Sequence, residues 1–279
     1  MSAARRPAKF PLRLDQLAPV AAAAQPPRAL LRPQTVLQHS AGAALRRPPP
    51  SGLGLDSADV RRRMVERLRA QGIRHEALLA ALAAVPRHAF VDAALVTQAY
   101  EDTSLPIGHG QTISKPSVVA RMIELLLQGA SARGAPAAAP LGRVLEIGTG
   151  CGYQAALLCR LASSVVSIER VRGLHDKARA LTAPLRQHQL RLVYGDGMHG
   201  HAPRAPYDSI IAAASGNAIP EAWLAQLAVG GRLIAPVAAG GGAGANGAQA
   251  LVVVDRHEHG CERSVHEAVQ FVPLKSGSA

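Results

Sequence analysis

Several kinds of residue are scarce in this chain of 279 residues, and each scarcity excludes a class of protein. Only three cysteines are present, an odd number without a Cys-x-x-Cys pair, so we expect no disulfide framework and favour a reducing compartment, the cytoplasm. Aromatic residues make up 3%, and no apolar run approaches the roughly 20 residues that a membrane-spanning helix needs. The sequence therefore predicts a soluble protein without a membrane partner.

Acidic residues are scarce at the N-terminus. Residues 1–50 hold eight Lys or Arg against the single acid Asp15, a net charge of +7, which leaves +5 of the total +12 for the remaining residues. A basic charge favours nucleic-acid binding when it covers a folded face. Since most of this charge lies in one terminal segment, we expect no nucleic-acid partner.

Residues 1–54 are rich in Pro, Ala and Arg and contain few large apolar side chains. This composition is typical of a disordered extension, and it sets these residues apart from a single domain at 55–279. Arg5 and Arg6 could belong to an export signal, although prolines interrupt the apolar run that would follow them. An organelle transit peptide and a mis-assigned start, with translation beginning at Met64, are the other interpretations.

The segment from Arg143 to Gln154, R-V-L-E-I-G-T-G-C-G-Y-Q, is the centre of the predicted fold. Val144–Ile147 has the apolar pattern of a buried parallel strand, and a helical pattern runs from Gln154 to Leu161. Glycines at 148, 150 and 152 fall in the turn between them, where backbone can approach a ligand closely. Strand, glycine turn and helix together predict a nucleotide-type site at a helix N-terminus.

Two further strands are predicted to end at the same edge of the sheet. Val165–Arg170 ends in an acid, Glu169, at about the separation from the glycine turn where such folds place a ribose-binding carboxylate. A third run, Leu190–Gly197, ends in Gly-Asp-Gly. The carboxyl ends of parallel strands meet at one edge, so these residues are candidates for a single site.

The remaining segments complete an alternating order of helices and strands. Helices are expected from Ser57 to Gly72, over 78–85 and from Ser117 to Leu127, with an irregular connector at 87–110 and a linker at 129–142. Further strands are expected at Tyr207–Ala213, Arg232–Val237, Ala250–Asp255 and Val265–Leu274, with a helix at Pro220–Leu227 and a flexible loop at 239–248. The predicted fold is an α/β, doubly wound Rossmann-like sheet with a helical N-terminal cap and an antiparallel finish.

Seven segments in unbroken order resemble the protein-L-isoaspartate O-methyltransferase family. They are L-P-I-G-H-G-Q-T-I-S-K-P (105–116), V-L-E-I-G-T-G-C-G-Y-Q (144–154), V-V-S-I-E-R, G-D-G, A-P-Y-D-S-I, I-P-E-A-W-L-A-Q-L-A-V-G-G-R-L-I-A-P-V and F-V-P-L. Many methyltransferases share the glycine motif, whereas G-Q-T-I-S and F-V-P-L are more particular. Cys151, where a serine is common, and the long N-terminal segment depart from the family pattern.

The resemblance implies methyl transfer from S-adenosylmethionine to the α-carboxylate of L-isoaspartyl residues in damaged proteins. Such a carboxylate, with an unperturbed pKa of about 4, is ionised at neutral pH, so the reaction needs no strong general base. Alignment and partial desolvation of donor and acceptor would supply the rate enhancement. The expected partners are isoaspartyl peptides and proteins.

The resemblance also assigns roles on the donor side. The cofactor's methionine portion is expected against the glycine turn, which comprises Gly148, Gly150, Cys151 and Gly152. Glu169 is expected to accept hydrogen bonds from the ribose hydroxyls, and Asp196 with Gly197 to face the adenine. Glu146 either helps to hold the sulfonium side or pairs with Arg143.

On the acceptor side, the family's active-site serine matches Ser114. Gln111, Thr112 and Ile113, which precede it, are assigned to cofactor binding. A hydroxyl just before a helix N-terminus can orient a carboxylate, but it can equally well cap the helix, as can that of Ser117. From the residues alone the two roles of Ser114 are equally supported, and the resemblance favours the catalytic one.

Other functions stay open. A nicotinamide dehydrogenase would carry G-x-G-x-x-G, whereas this turn reads G-x-G-x-G. A methyltransferase of the same fold with another acceptor, or a cofactor-binding homologue without repair activity, would share the donor side. The pairs His199/His201 and His257/His259 have metal-ligand spacing, but nothing completes either set, so we predict no metal. We also expect a monomer.

Overall fold

The computed structural model describes residues 58–238 and 248–279. The predicted extension at 1–54 and most of the predicted loop at 239–248 lie outside the described residues. Helices within the described part are α1 (Ala58–Ala70), α2 (Glu76–Ala84), α3 (Pro116–Ala132), α4 (Tyr153–Leu158), α5 (Arg172–Thr182) and α6 (Glu221–Gln226). Strands are β1 (Leu105–Gly108), β2 (Gln111–Ile113), β3 (Arg143–Ile147), β4 (Ser164–Glu169), β5 (Leu190–Tyr194), β6 (Tyr207–Ala212), β7 (Leu227–Ala238), β8 (Gln249–His257) and β9 (Gly260–Val269).

Seven strands form one sheet in the order β5-β4-β3-β6-β7-β8-β9. β3 to β7 are parallel, and β8 and β9 are antiparallel. The strand order reverses at β3, which pairs with β4 on one side and β6 on the other. This is the doubly wound, Rossmann-like arrangement with an antiparallel finish that the sequence predicts, and the reversal is where such sheets bind ligands.

The central strands are buried on both faces. In β3, Val144 packs into the apolar cluster shared with α1 to α4, whereas Leu145 and Ile147 pack into the cluster around Trp223 of α6. Side chains alternate along a strand, so an apolar run is needed when helices cover both faces. The hydrophobic pattern at 144–147 was therefore a reliable indicator of this strand.

Two helices differ from those that the sequence predicts: α5 is additional and α3 is longer. α5 was not predicted, although Leu174 and Ala178 are four residues apart and both are buried. α3 extends to Ala132, so the predicted linker at 129–142 begins too early. Gly129 belongs to this helix, and the side chain of Arg232 of β7 occupies the space that a side chain at position 129 would need.

The connector predicted to be irregular at 87–110 contains regular structure. Two 3-10 segments span Arg87–Phe90 and Ala93–Gln98, and β1 and β2 form an antiparallel hairpin. Gly108, His109 and Gly110, at its tip, have φ of 96°, 54° and 66°. Three successive left-handed residues make a turn that periodicity could not have indicated.

The last strand was predicted too late. β9 ends at Val269, and the following residues leave the sheet, where Pro273 forms an isolated parallel bridge with Ser215. This segment crosses the carboxyl edge of the parallel strands. The F-V-P-L residues therefore reach the site that the strand ends form.

Candidate active site

A cavity of about 360 Å³ opens at the carboxyl ends of β3 and β4. Nine of the twelve sequence-predicted site residues line it: Gln111, Thr112, Ile113, Ser114, Gly148, Gly150, Cys151, Glu169 and Gly197. The other three, Glu146, Gly152 and Asp196, do not line it. The two predicted halves, the glycine turn and the segment before α3, thus meet across one space.

The glycine turn has the geometry that its sequence predicts. Gly148, Gly150 and Gly152 have φ of 90°, 57° and 89°, in the left-handed region that other residues avoid. A Cβ on Gly152 would also approach Thr182 Cγ2 to 2.8 Å, because the turn packs directly on α5. Gly152 consequently shapes the turn from behind, while Gly148 and Gly150 lie in the cavity wall.

Glu169, at the end of β4, is held by two backbone donors. The Gly150 N–H donates to its Oε2 at 2.9 Å, and the Val171 N–H donates to its Oε1 at 2.9 Å. The side chain is only 5% exposed and lines the cavity. Each carboxylate oxygen has a second lone pair, so a fixed pair of acceptors is available to neighbouring hydroxyls.

Ser114 lies between β2 and α3 and does not cap that helix. The N-cap is Lys115, without a side-chain hydrogen bond, and Ser117 N–H instead donates to Asp102 Oδ1 at 2.9 Å. The capping alternative for Ser114 or Ser117 is therefore wrong. Among the described residues, no hydrogen bond involves the Ser114 hydroxyl, whereas its carbonyl accepts one from Arg87 at 2.7 Å.

Glu146 lies in a buried polar group beneath the turn. It accepts a hydrogen bond from Ser167 Oγ at 2.5 Å, and Ser167 Oγ lies 2.6 Å from Thr149 Oγ1. Burial raises the pKa of Glu146 to about 8, although the nearby Ser167 and Gln154 side chains act against this shift. Its proposed pairing with Arg143 is wrong, since Arg143 lies near Asp208 instead.

Asp196 is engaged by the end of the chain. Its Oδ1 accepts a hydrogen bond from Met198 N–H at 2.8 Å, and its Oδ2 accepts one from Gly277 N–H at 2.6 Å. Burial acts to raise the pKa of Asp196, but these two donors, together with the nearby His199 and Arg170, outweigh it and hold the pKa below its usual range. Gly197 reaches the cavity wall and its carbonyl accepts a hydrogen bond from Trp223 Nε1.

The C-terminal segment contributes wall residues that are not among the predicted site residues. Val272, Pro273, Leu274, Lys275 and Ala279 line the cavity. Arg170 fastens this segment, because its Nε donates to Gly277 O at 2.7 Å and its carbonyl accepts from Ala279 N–H. The F-V-P-L motif was the available signal for this part of the site.

The hairpin tip forms another wall and rests on α5. The His109 ring lies over Gly173, where a side-chain methyl group would overlap it. Lys177 of the same helix donates to Ile107 O at 3.0 Å and forms an ion pair with Asp92 at 2.9 Å. The hairpin is therefore docked on the helix that follows Glu169.

The nearest acid to each histidine pair is a single carboxylate with which one histidine can pair. His199 lies 3.8 Å from Asp196, and His257 lies 3.6 Å from Glu262. Within residues 58–238 and 248–279, no three His, Cys, Asp or Glu side chains are grouped to hold a metal ion. In the same ranges, no helix is long and apolar enough to cross a membrane.

Solved structures with this arrangement include one described as a protein-L-isoaspartate O-methyltransferase. It aligns with a TM-score of 0.66 and 26% identity, and the alignment covers 77% of this chain and 66% of that chain. A Plasmodium falciparum structure solved with S-adenosyl-L-homocysteine aligns with a TM-score of 0.64 at 21% identity, covering 77% of this chain and 98% of that one. The latter likeness supports the fold.

Sequence relatives are more similar. A protein-L-isoaspartate O-methyltransferase of Methylibium petroleiphilum is 60% identical over the whole of both chains. One of Leptothrix cholodnii is 64% identical over 82% of this chain and 78% of its own. The family model described as protein-L-isoaspartate(D-aspartate) O-methyltransferase matches residues 59–279, so the chain belongs to this family of S-adenosylmethionine-dependent enzymes.

Proposed function

We propose that this chain repairs damaged proteins by transferring a methyl group from S-adenosylmethionine to the α-carboxylate of L-isoaspartyl residues. Family membership supports the reaction class. The observation that carries the assignment is that the glycine turn with Glu169 and the segment Gln111–Ser114 line the same cavity. Donor-side and acceptor-side residues thus lie within reach of one small ligand pair.

The residues present fit the cofactor. Gly148 and Gly150 have left-handed backbone and no side chain, so their backbone is accessible where the methionine portion would lie. The Glu169 carboxylate, held by two backbone N–H groups, can accept hydrogen bonds from two vicinal ribose hydroxyls. Gly197, three residues after β5, would lie along the adenine. When bound, the cofactor supplies an already activated methyl group on a positively charged sulfur.

The chain's own residues have to align an anionic acceptor and exclude water. Ser114 presents its hydroxyl donor to the acceptor carboxylate, which is ionised at neutral pH. Ile107, Ile113 and Val119 provide an apolar wall beside it. Charge is neutralised as the methyl group moves, so partial desolvation favours transfer, and holding the groups in line supplies most of the remaining effect.

The product accounts for repair. A methyl ester at the α-carboxyl of an isoaspartyl residue is attacked by the following backbone nitrogen, which expels methanol and closes a succinimide. Water opens this ring at either carbonyl, so part of the material returns to the normal aspartyl linkage. These steps need no further group from the chain.

The test is methylation of a matched peptide pair. A peptide with one L-isoaspartyl residue should become labelled from methyl-labelled S-adenosylmethionine, and the same peptide with aspartate should not. The aspartyl peptide serves as the control for sequence and charge. Equal labelling of both peptides, or of neither, would overturn the substrate assignment and favour another acceptor.

We also propose that the enzyme acts as a cytoplasmic monomer without nucleic acid. One chain supplies both halves of the cavity, and all three cysteines are free thiols. Sedimentation at micromolar concentration should give a single species of about 29.0 kDa, unchanged by added RNA. A concentration-dependent larger species would contradict the monomer.

A further inference from the structure

Arg87 is a fully buried arginine that contacts the end of the segment Gln111–Ser114. It begins the 3-10 segment Arg87–Phe90, next to the end of α2. Its Nε donates to Ala99 O at 2.7 Å, and its Nη2 donates to Ser114 O at 2.7 Å. Ala99 precedes the β1–β2 hairpin and Ser114 follows it, so one side chain holds both ends of the hairpin.

No carboxylate forms an ion pair with Arg87 within the described ranges. Its Nη1 is buried without a hydrogen bond of standard geometry, and so is the hydroxyl of Tyr153, whose ring centroid lies 4.9 Å from the guanidinium carbon. A buried cation without a paired carboxylate costs stability. Core packing alone does not account for an arginine at this position.

We propose that Arg87 is a positioning residue for methyl transfer, fixing the backbone at Ser114 so that its hydroxyl faces the acceptor carboxylate. This inference rests on the proposed function. The guanidinium is a rigid planar fork that can hold two carbonyls at a fixed separation, whereas a lysine ammonium is a point charge on a flexible stem. Asp102 completes the arrangement, because it fixes the Ser117 N–H three residues further on.

Arg87 contacts the acceptor side more directly than the glycine turn. It does not line the cavity, and its hydrogen bonds to Ala99 and Ser114 go to the acceptor side, whereas it meets the glycine turn only through the ring of Tyr153. Changing its shape should therefore alter turnover more than cofactor affinity. An arginine that merely supports the fold would change both together with thermal stability.

The experiment compares Arg87→Lys and Arg87→Met with the wild-type full chain. For Arg87→Lys, kcat with the isoaspartyl peptide should fall by about 10- to 100-fold, since a misplacement near 1 Å can cost that much. The KM for S-adenosylmethionine and the Kd for S-adenosylhomocysteine should stay unchanged. If Arg87→Met does not fold, Arg87→Lys decides the question.

Arg67→Lys is the matched control. Arg67 donates to the carbonyl of Tyr100, the neighbour of Ala99, but forms no hydrogen bond with Ser114. Its replacement should leave kcat close to the wild-type value. A fall in kcat as large as that of Arg87→Lys would overturn the proposal, as would an unchanged kcat in both Arg87 variants or a matching loss of S-adenosylhomocysteine affinity.

Hydrogen exchange supplies a readout that needs no substrate. Amides at 113–119 should exchange faster in both Arg87 variants, while amides of β3 keep their protection. Unchanged exchange at 113–119 would overturn the inference. If the wild-type chain failed to distinguish the peptide pair while exchange still rose, the proposed function would fail and the placement of Ser114 by Arg87 would stand.

Discussion

The Ser114 hydroxyl makes no hydrogen bond with the described residues and lies at the point where the acceptor should bind. Its carbonyl is held by Arg87, so the backbone is fixed while the side chain is available. We predict that Ser114→Ala lowers kcat by on the order of 100-fold, the usual effect of removing one oriented donor. The Kd for S-adenosylhomocysteine, measured by calorimetry, should not change. Unchanged turnover would leave Ser114 without a catalytic role.

Glu146 makes stability depend on pH. Its pKa of about 8 in the folded chain exceeds the ordinary 4.5. Between these pH values, the folded chain keeps the Glu146 proton whereas the unfolded chain has released it. The stabilisation is fully present below about pH 4.5 and is lost as the pH rises to about 8. Between these two values, the free energy of unfolding should fall by about 1.4 kcal/mol for each step of one in pH.

Glu146→Gln should remove this dependence. The melting temperature of the variant, measured from pH 5 to pH 9, should gain on that of the wild type up to about pH 8 and then run parallel to it. Ser167→Ala, which removes the hydroxyl that hydrogen-bonds Glu146 and lowers its pKa, is the companion variant and should extend the fall to a higher pH without changing its slope. Parallel curves throughout would contradict a raised pKa.

Among the elements, the β1–β2 hairpin depends on a close contact with α5. His109 lies over Gly173, and Gly173 belongs to the first turn of a helix where alanine is intrinsically favoured by up to about 1 kcal/mol. Gly173→Ala should therefore stabilise the chain in a His109→Ala background and stabilise it less, or destabilise it, in the wild-type background. Denaturant unfolding of the four chains measures the coupling, and additive effects would show that the ring does not rest on Gly173.

How far an element could be predicted depended on where its determinants lie. The glycine turn and Glu169 were accessible from sequence because left-handed backbone and a strand-end acid are encoded locally. The contact of Arg87 with Ser114 joins residues 27 positions apart, and that of Asp196 with Gly277 joins residues 81 apart. Nothing in the local sequence pattern indicates such pairs. The contributions of the helical N-terminal cap and of the C-terminal segment to the cavity could therefore not be derived from that pattern.

At the scale of the molecule, the family match and the described fold begin at almost the same residue. The match starts at residue 59 and α1 starts at Ala58. We predict that a chain starting at Ser51 keeps kcat and KM for the isoaspartyl peptide, because every cavity residue lies beyond Gln98. A chain starting at Met64 should lose stability, since it lacks the first half of α1. Loss of activity in the chain that starts at Ser51 would place residues 1–50 within the functional domain.

The three thiols differ in accessibility. Cys151 and Cys159 are buried, and burial raises the pKa of each, to about 12 for Cys159. Cys261 is exposed on β9, the outermost strand, opposite the end of the sheet formed by β5. A maleimide fluorophore should accordingly attach at one position of the native enzyme, at the edge of the sheet and outside the cavity lining, without any engineered cysteine.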